Sequence, residues 1–87
     1  MLEDEWRAAP AAERDFLQGL VHVAVAWYQA ERGNRVGCER QLEKALRRLA
    51  PYGQAHRGVD LAALLPQLEA AAHAAGAGNL ALPPPVL

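Results

Sequence analysis

The apolar positions fall into four runs of helical period separated by breakers, and the run from Ala11 to Asn34 dominates the chain. At about 100° per residue, Val23, Phe16, Trp27, Leu20, Ala24, Leu17, Tyr28, Val21 and Val25 share one apolar arc of roughly 200°. That is wider than the stripe of an ordinary surface helix. Gly19, Ala26 and Ala30 keep the rest of the circle small, and Gln18, His22 and Gln29 form a thin polar edge. The pattern predicts a central helix with neighbours on most sides. Gly33-Asn34 ends it, because glycine after a helix adopts the left-handed conformation without a Cβ clash.

The flanking runs are shorter. Upstream, Leu2 and Trp6 stand four apart among Glu3, Asp4 and Glu5, which predicts the last turns of a helix over Met1 to Ala9. This run has no Ser, Thr, Asp or Asn ahead of its first apolar residue, so the expectation is a helix entered midway. Pro10 then breaks it, and Glu13 and Asp15 fall in the next first turn, where acidic groups suit the helix dipole.

Downstream of Asn34, a helix over about Arg35 to Leu49 gathers Cys38, Leu42, Ala45, Leu46 and Leu49 on one face and Arg40, Lys44, Arg47 and Arg48 on the other. Ala50-Pro51-Tyr52-Gly53 stops it, and the stretch through Gly58 is expected to be a loop with His56 and Arg57 exposed. Asp60 is placed to cap a last helix with the stripe Leu61, Leu64, Leu65 and Leu68. Pro66 lacks the N–H that would bond to Ala62, a loss of about 3 kcal/mol in an unbroken helix, so a short turn and a kink are expected there. The helix should end at Ala75-Gly76. Pro83, Pro84 and Pro85 favour an extended polyproline II tail.

The fold class predicted is therefore all-α. It is a small up-and-down bundle of about four helices, with residues 1–78 as one domain and residues 79–87 as an extended tail. Eighty-seven residues bury only somewhat more than about 60% of the unfolded surface, so a partner would add useful stability. A net charge of −1 provides no basic field for nucleic acid or anionic membrane. The longest apolar run, Val23 to Tyr28, is far below the roughly 20 residues needed to span a bilayer. A single cysteine excludes an internal disulfide, and the acidic start is unlike a signal peptide, so a soluble cytoplasmic protein is expected.

Several of these residues together resemble a known family. Phe16-Leu17-Gln18-Gly19-Leu20-Val21, Ala24 to Tyr28, Arg32-Gly33-Asn34, Gly37, the Leu42 to Leu49 stripe and Gly58-Val59-Asp60-Leu61 are similar to the uncharacterised prokaryotic family known as domain of unknown function 309. The resemblance covers about residues 2 to 72. It implies a small, cytosolic, all-helical protein of no known activity. Members usually open with His-Glu-x-x-Glu-x-x-Trp, of which Glu3 and Trp6 match the last Glu and the Trp. The His and first Glu would precede Met1, which implies an upstream start and removes the family's metal-like or acid/base-like motif from this chain. Trp27-Tyr28, Gly33-Asn34, Gly37-Cys38, Ala45-Leu46 and Pro51 also resemble one tetratricopeptide helix pair, without the further copies such arrays need.

The chemical candidates are few. His22 lies beside Gln18 on the polar edge, where Glu3 could complete a small polar pocket, but no His or carboxylate stands three or four residues away on that face. Cys38, His56 and His73 share no ligand spacing, so neither a metal nor a cofactor is expected. Cys38 follows a helix start that could activate a thiol, yet its place on the Leu42 stripe predicts a buried small hydrophobe. The Arg40, Lys44, Arg47 and Arg48 face is diluted by Glu39 and Glu43 and lacks aromatic stacking residues, so it predicts a solvated face rather than a nucleic-acid site. Trp6 is expected at a core or subunit contact.

The expected function is that of a non-enzymatic interaction or structural module, pairing as a homodimer or with another protein. The alternative is a small-ligand or metal-dependent site built on Glu3, Gln18 and His22 with residues upstream of Met1. Glu3, Trp6, Gln18 and His22 are the candidate ligand-binding residues, and no catalytic residue is assigned.

Overall fold

The computed structural model describes residues 11–86. The helical run predicted over Met1 to Ala9, with Glu3 and Trp6, lies outside the described residues. Within them are three helices, α1 (Ala11–Glu31), α2 (Arg35–Leu49) and α3 (Leu61–Gly76), a single 3-10 turn (Ala50–Tyr52) and a small antiparallel hairpin of β1 (Ala55–His56) and β2 (Val59–Asp60). The architecture is broadly all-α, with a hairpin where a loop was expected.

The breakers act as their chemistry dictates. At the end of α1, Gly33 has φ +74° and Asn34 donates its backbone N–H to the Gln29 carbonyl at 2.9 Å. The same Asn34 caps α2, its Oδ1 accepting from the Gly37 N–H at 2.9 Å. This one residue closes one helix and opens the next. The reversal makes α1 and α2 antiparallel: Asp15 faces Arg48 near one end and His22 faces Gln41 nearer the other.

The buried positions of α1 are Phe16, Gly19, Val23, Ala26 and Ala30, a spacing of three and four along one seam. The seam is rotated from the middle of the predicted arc towards its small residues. Leu17, Val21 and Tyr28 are about half exposed, at 52%, 52% and 53%. Gly19 explains the rotation, since it lets Leu49 of α2 sit almost on the α1 backbone.

Helix α2, not α1, is the middle helix of the described residues. Cys38, Leu42, Ala45 and Leu49 are fully buried along it, and both α1 and α3 pack on α2 while touching each other only marginally. The expectation that α1 is the central helix is thus corrected for the described residues. The leucine stripe of α3, with Leu61, Leu64 and Leu68 fully buried, is matched to the stripe of α2 instead.

Two local expectations also change. Helix α3 runs unbroken through Pro66, which faces solvent. Burial of three leucines, each contributing about 1.5–3 kcal/mol, outweighs the missing hydrogen bond. Asp60 caps this helix as expected, its Oδ1 accepting from the Ala63 N–H at 3.1 Å. The predicted loop through Gly58 is a hairpin turned by Arg57 at φ +48° and Gly58 at φ +78°. Arg57 is exposed as expected, but His56 is half-buried.

After α3, Gly78 at φ +87° turns the chain, and Asn79 donates to the Ala74 carbonyl at 2.8 Å. Residues 79–86 contain neither helix nor strand. They return across the gap between α1 and α3, where Leu80 and Leu82 pack on the core. There the Trp27 indole N–H donates to the Pro83 carbonyl at 2.9 Å. The Gln67 amide donates to the Val86 carbonyl at 3.0 Å and accepts from its N–H at 2.9 Å.

Candidate functional site

Antiparallel packing of α1 and α2 leaves a cleft of about 650 Å³ on one side, lined by residues of both helices and of the turn after α2. Gln18 and His22 lie on its α1 wall, as the polar edge of that helix predicts. Lys44, Arg47 and Arg48 form the α2 wall, and Tyr52 closes one end. Gln18 is exposed and His22 half-buried.

His22 has a partner that helical periodicity alone does not reveal. Its Nδ1 lies 2.6 Å from Gln41 Oε1 on α2. An amide oxygen only accepts, so Nδ1 is the donor in this contact, and the bond sets the orientation of the ring. The residue was legible only in retrospect, as the α2 position where an antiparallel partner of His22 must fall.

The cationic wall is only partly committed to protein partners. Arg48 Nη1 bonds Asp15 Oδ1 at 2.6 Å, bridging the cleft, and Arg47 Nη2 bonds Glu43 Oε1 at 2.7 Å within α2. All four groups are substantially solvent-accessible, so each pair contributes under about 1 kcal/mol. A ligand anion could displace either carboxylate at small loss. Arg40 lies elsewhere on α2 and does not line the cleft.

Beyond Tyr52 lies a second polar cluster. Glu13 Oε1 accepts from His56 Nε2 at 3.1 Å, while Arg57 Nε stands 2.5 Å from Glu13 Oε2. The His56 ring packs edge-on against Phe16, with centroids 4.5 Å apart, and lies 4.8 Å from the Tyr52 ring. Phe16 and Tyr52 complete the triangle at 5.2 Å. A ring held on two sides and a carboxylate shared with arginine make a cross-link between the first turn of α1 and the hairpin. Nothing in this arrangement prepares a nucleophile.

Burial pushes the Cys38 thiol above its ordinary range, with the Glu39 carboxylate adding in the same direction. That is the opposite of thiol activation, in keeping with the hydrophobic position predicted for it. Tyr52 is also raised, first by desolvation and then by Asp15 and Glu13. Among the described residues no group of three or more His, Cys, Asp and Glu could hold a metal ion. No helix among them is long and apolar enough to cross a membrane.

The first half of the chain also carries a family signature. Residues 1–41 match the family described as Domain of unknown function (DUF309), which supports the resemblance read from the sequence over that part of the chain. The matched segment contains α1, the Gly33-Asn34 turn and the start of α2 through Gln41, so one cleft wall and the His22–Gln41 pair lie within it. Neither a curated protein nor a solved structure gives a significant match.

Proposed function

We propose that this chain is a non-enzymatic helical interaction module that pairs with a second copy of itself through the outer face of α1. One observation carries the reading: Leu17, Val21, Ala24 and Tyr28 form an exposed line along α1, spaced four, three and four apart. This is the seam spacing of paired helices. The ends of the line are oppositely charged, with exposed Arg14 before Leu17 and exposed Glu31 after Tyr28.

Antiparallel pairing about a two-fold axis between Val21 and Ala24 sets Leu17 against Tyr28 of the partner subunit and Val21 against Ala24 of the partner subunit. It also sets Arg14 against Glu31 of the partner subunit. Such self-complementarity is what an isologous contact requires. Small Ala24 opposite Val21 would let the two helices approach closely. The helix pair α1–α2 then resembles a single tetratricopeptide hairpin in which a second copy takes the place of a neighbouring repeat.

Mass in solution tests this reading. A dimer that Val21→Lys converts to monomer without loss of helical circular dichroism supports it. A monomer at all concentrations contradicts it.

The cleft supports a second reading, in which Gln18 and His22 contribute to a small-ligand site. The His22 ring fixed by Gln41 at 2.6 Å is the observation in its favour. Glu3, the third residue of that reading, lies outside the described residues. Titration with inorganic phosphate, following the His22 ring resonances, separates the two: saturable shifts abolished by Lys44→Ala support a ligand site.

A further inference from the structure

The gap between α1 and α3 is bridged by the chain's own last residues, and the contacts that hold them are of an unusual kind. Trp27 donates its indole N–H to a carbonyl at the first of three consecutive prolines. Gln67 uses both ends of its side-chain amide on the backbone of one residue, Val86. All three hydrogen bonds are to main chain. They select a backbone conformation rather than a sequence, and Pro83, Pro84 and Pro85 favour that conformation in advance. An aromatic N–H on a proline-segment carbonyl, beside an apolar groove, is the recognition mode for polyproline II ligands.

The fit is incomplete. A cavity of about 320 Å³ remains between the bridging residues and the helices, lined by Trp27 and by Ala70, Ala71 and Ala74 of α3. From the tail, Asn79, Ala81, Leu82 and Pro83 border it, and Ala81 has the smallest side chain of the four. A row of alanines facing another alanine leaves room that a larger side chain would fill. The tail's hydrogen bonds are exposed, so each can exchange with water at little loss.

We propose that the α1–α3 groove is a recognition site for a proline-rich segment of another protein. The occupant carries a bulky apolar residue two positions before its first proline, and residues 79–86 hold the groove in cis as a poorly filling substitute. Binding in trans displaces the tail about the turn at Gly78. The tail has an effective local concentration in the millimolar range, so a partner wins only by filling the cavity the tail leaves.

The test uses the full chain, labelled with ¹⁵N, and three synthetic peptides. These are the segment Asn79 to Val86 unchanged, the same segment with Ala81→Leu, and the latter with all three prolines replaced by alanine. The expected result is saturable movement of the Trp27 indole and Gln67 amide signals, with the Val86 backbone signal of the chain shifting to its free position. The Ala81→Leu peptide should bind about tenfold more tightly than the unchanged one, from the added buried apolar carbons. The alanine-substituted peptide should fail in the same range.

In the full chain, Val86→Pro removes the N–H that Gln67 accepts, and it should raise peptide affinity several-fold by loosening the tail. Equal binding of the peptides with and without prolines would overturn the proposal. So would shifts confined to another surface, or no response up to millimolar peptide. A concentration-dependent mass increase that persists in Val21→Lys and is reversed by the peptide would assign the groove to a second copy's tail, and would equally overturn it.

Discussion

A Cβ placed on Gly19 would lie 2.7 Å from Leu49 Cδ2 and 2.8 Å from its Cγ, closer than real carbon atoms approach. Leu49 is fully buried and cannot swing away into solvent. Gly19 is therefore the point at which α1 and α2 are allowed to meet. Gly19→Ala gains about 1 kcal/mol of helix propensity but overpacks the crossing by about 1–3 kcal/mol. The expected outcome in urea unfolding is a net loss of about 1 kcal/mol, with further loss for Gly19→Val.

The contrast at Gly37 is instructive. There a Cβ would meet Nδ2 of Asn34 at 2.7 Å, the end of an exposed capping side chain. Gly37→Ala gains a similar propensity and disturbs a cap worth about 1 kcal/mol, so its unfolding midpoint should change little. A loss as large as that of Gly19→Ala would contradict the assignment of the tight contact to the α1–α2 crossing.

The Glu13–His56 bridge predicts an order of effects. His56→Ala removes a hydrogen-bond partner of Glu13 and two ring contacts and should destabilise by about 1–3 kcal/mol. Arg57→Ala removes an exposed partner of the same carboxylate and should lose less than about 1 kcal/mol. Thermal unfolding of the two variants checks the order. Equal effects would mean that the ring packing around His56 contributes nothing.

Cys38 gives a pH dependence with a definite sign. Its thiol is raised in the folded chain, so the unfolded chain releases this proton first as pH rises. The resulting stability is fully present below about pH 8.5 and is lost as pH climbs through the folded value. Tyr52, raised likewise, acts in the same direction at higher pH. Urea unfolding between neutral pH and about pH 9.5 should show a decline in stability, shallower for Cys38→Ala. An identical slope in the variant would show that burial does not perturb the thiol.

The fold was legible where a local residue decides the geometry. Gly33-Asn34 and Asp60 set helix ends through their own backbone and side-chain preferences, and the bounds of α2 followed from the turn before it and Pro51 after it. It was less legible where small residues decide. Gly19, Ala26 and Ala30 form much of the buried seam because close helix approach requires them, whereas a hydrophobic wheel gives weight to Leu17, Val21 and Tyr28.

The candidate site divides in the same way. Gln18 and His22 were placed on one edge by period alone, but Gln41 and the Glu13–His56 bridge join residues 19 and 43 positions apart. No local pattern encodes those distances. The exposed apolar line on α1 is the part of the predicted arc that α2 does not cover, and it is the basis of the proposed pairing.

Light scattering on a sizing column, with the chain at several concentrations, tests that pairing most directly. Pairing through α1 gives a mass of twice 9.4 kDa that falls to the single-chain value in Val21→Lys. A mass of 9.4 kDa at every concentration, unchanged by the substitution, would contradict it.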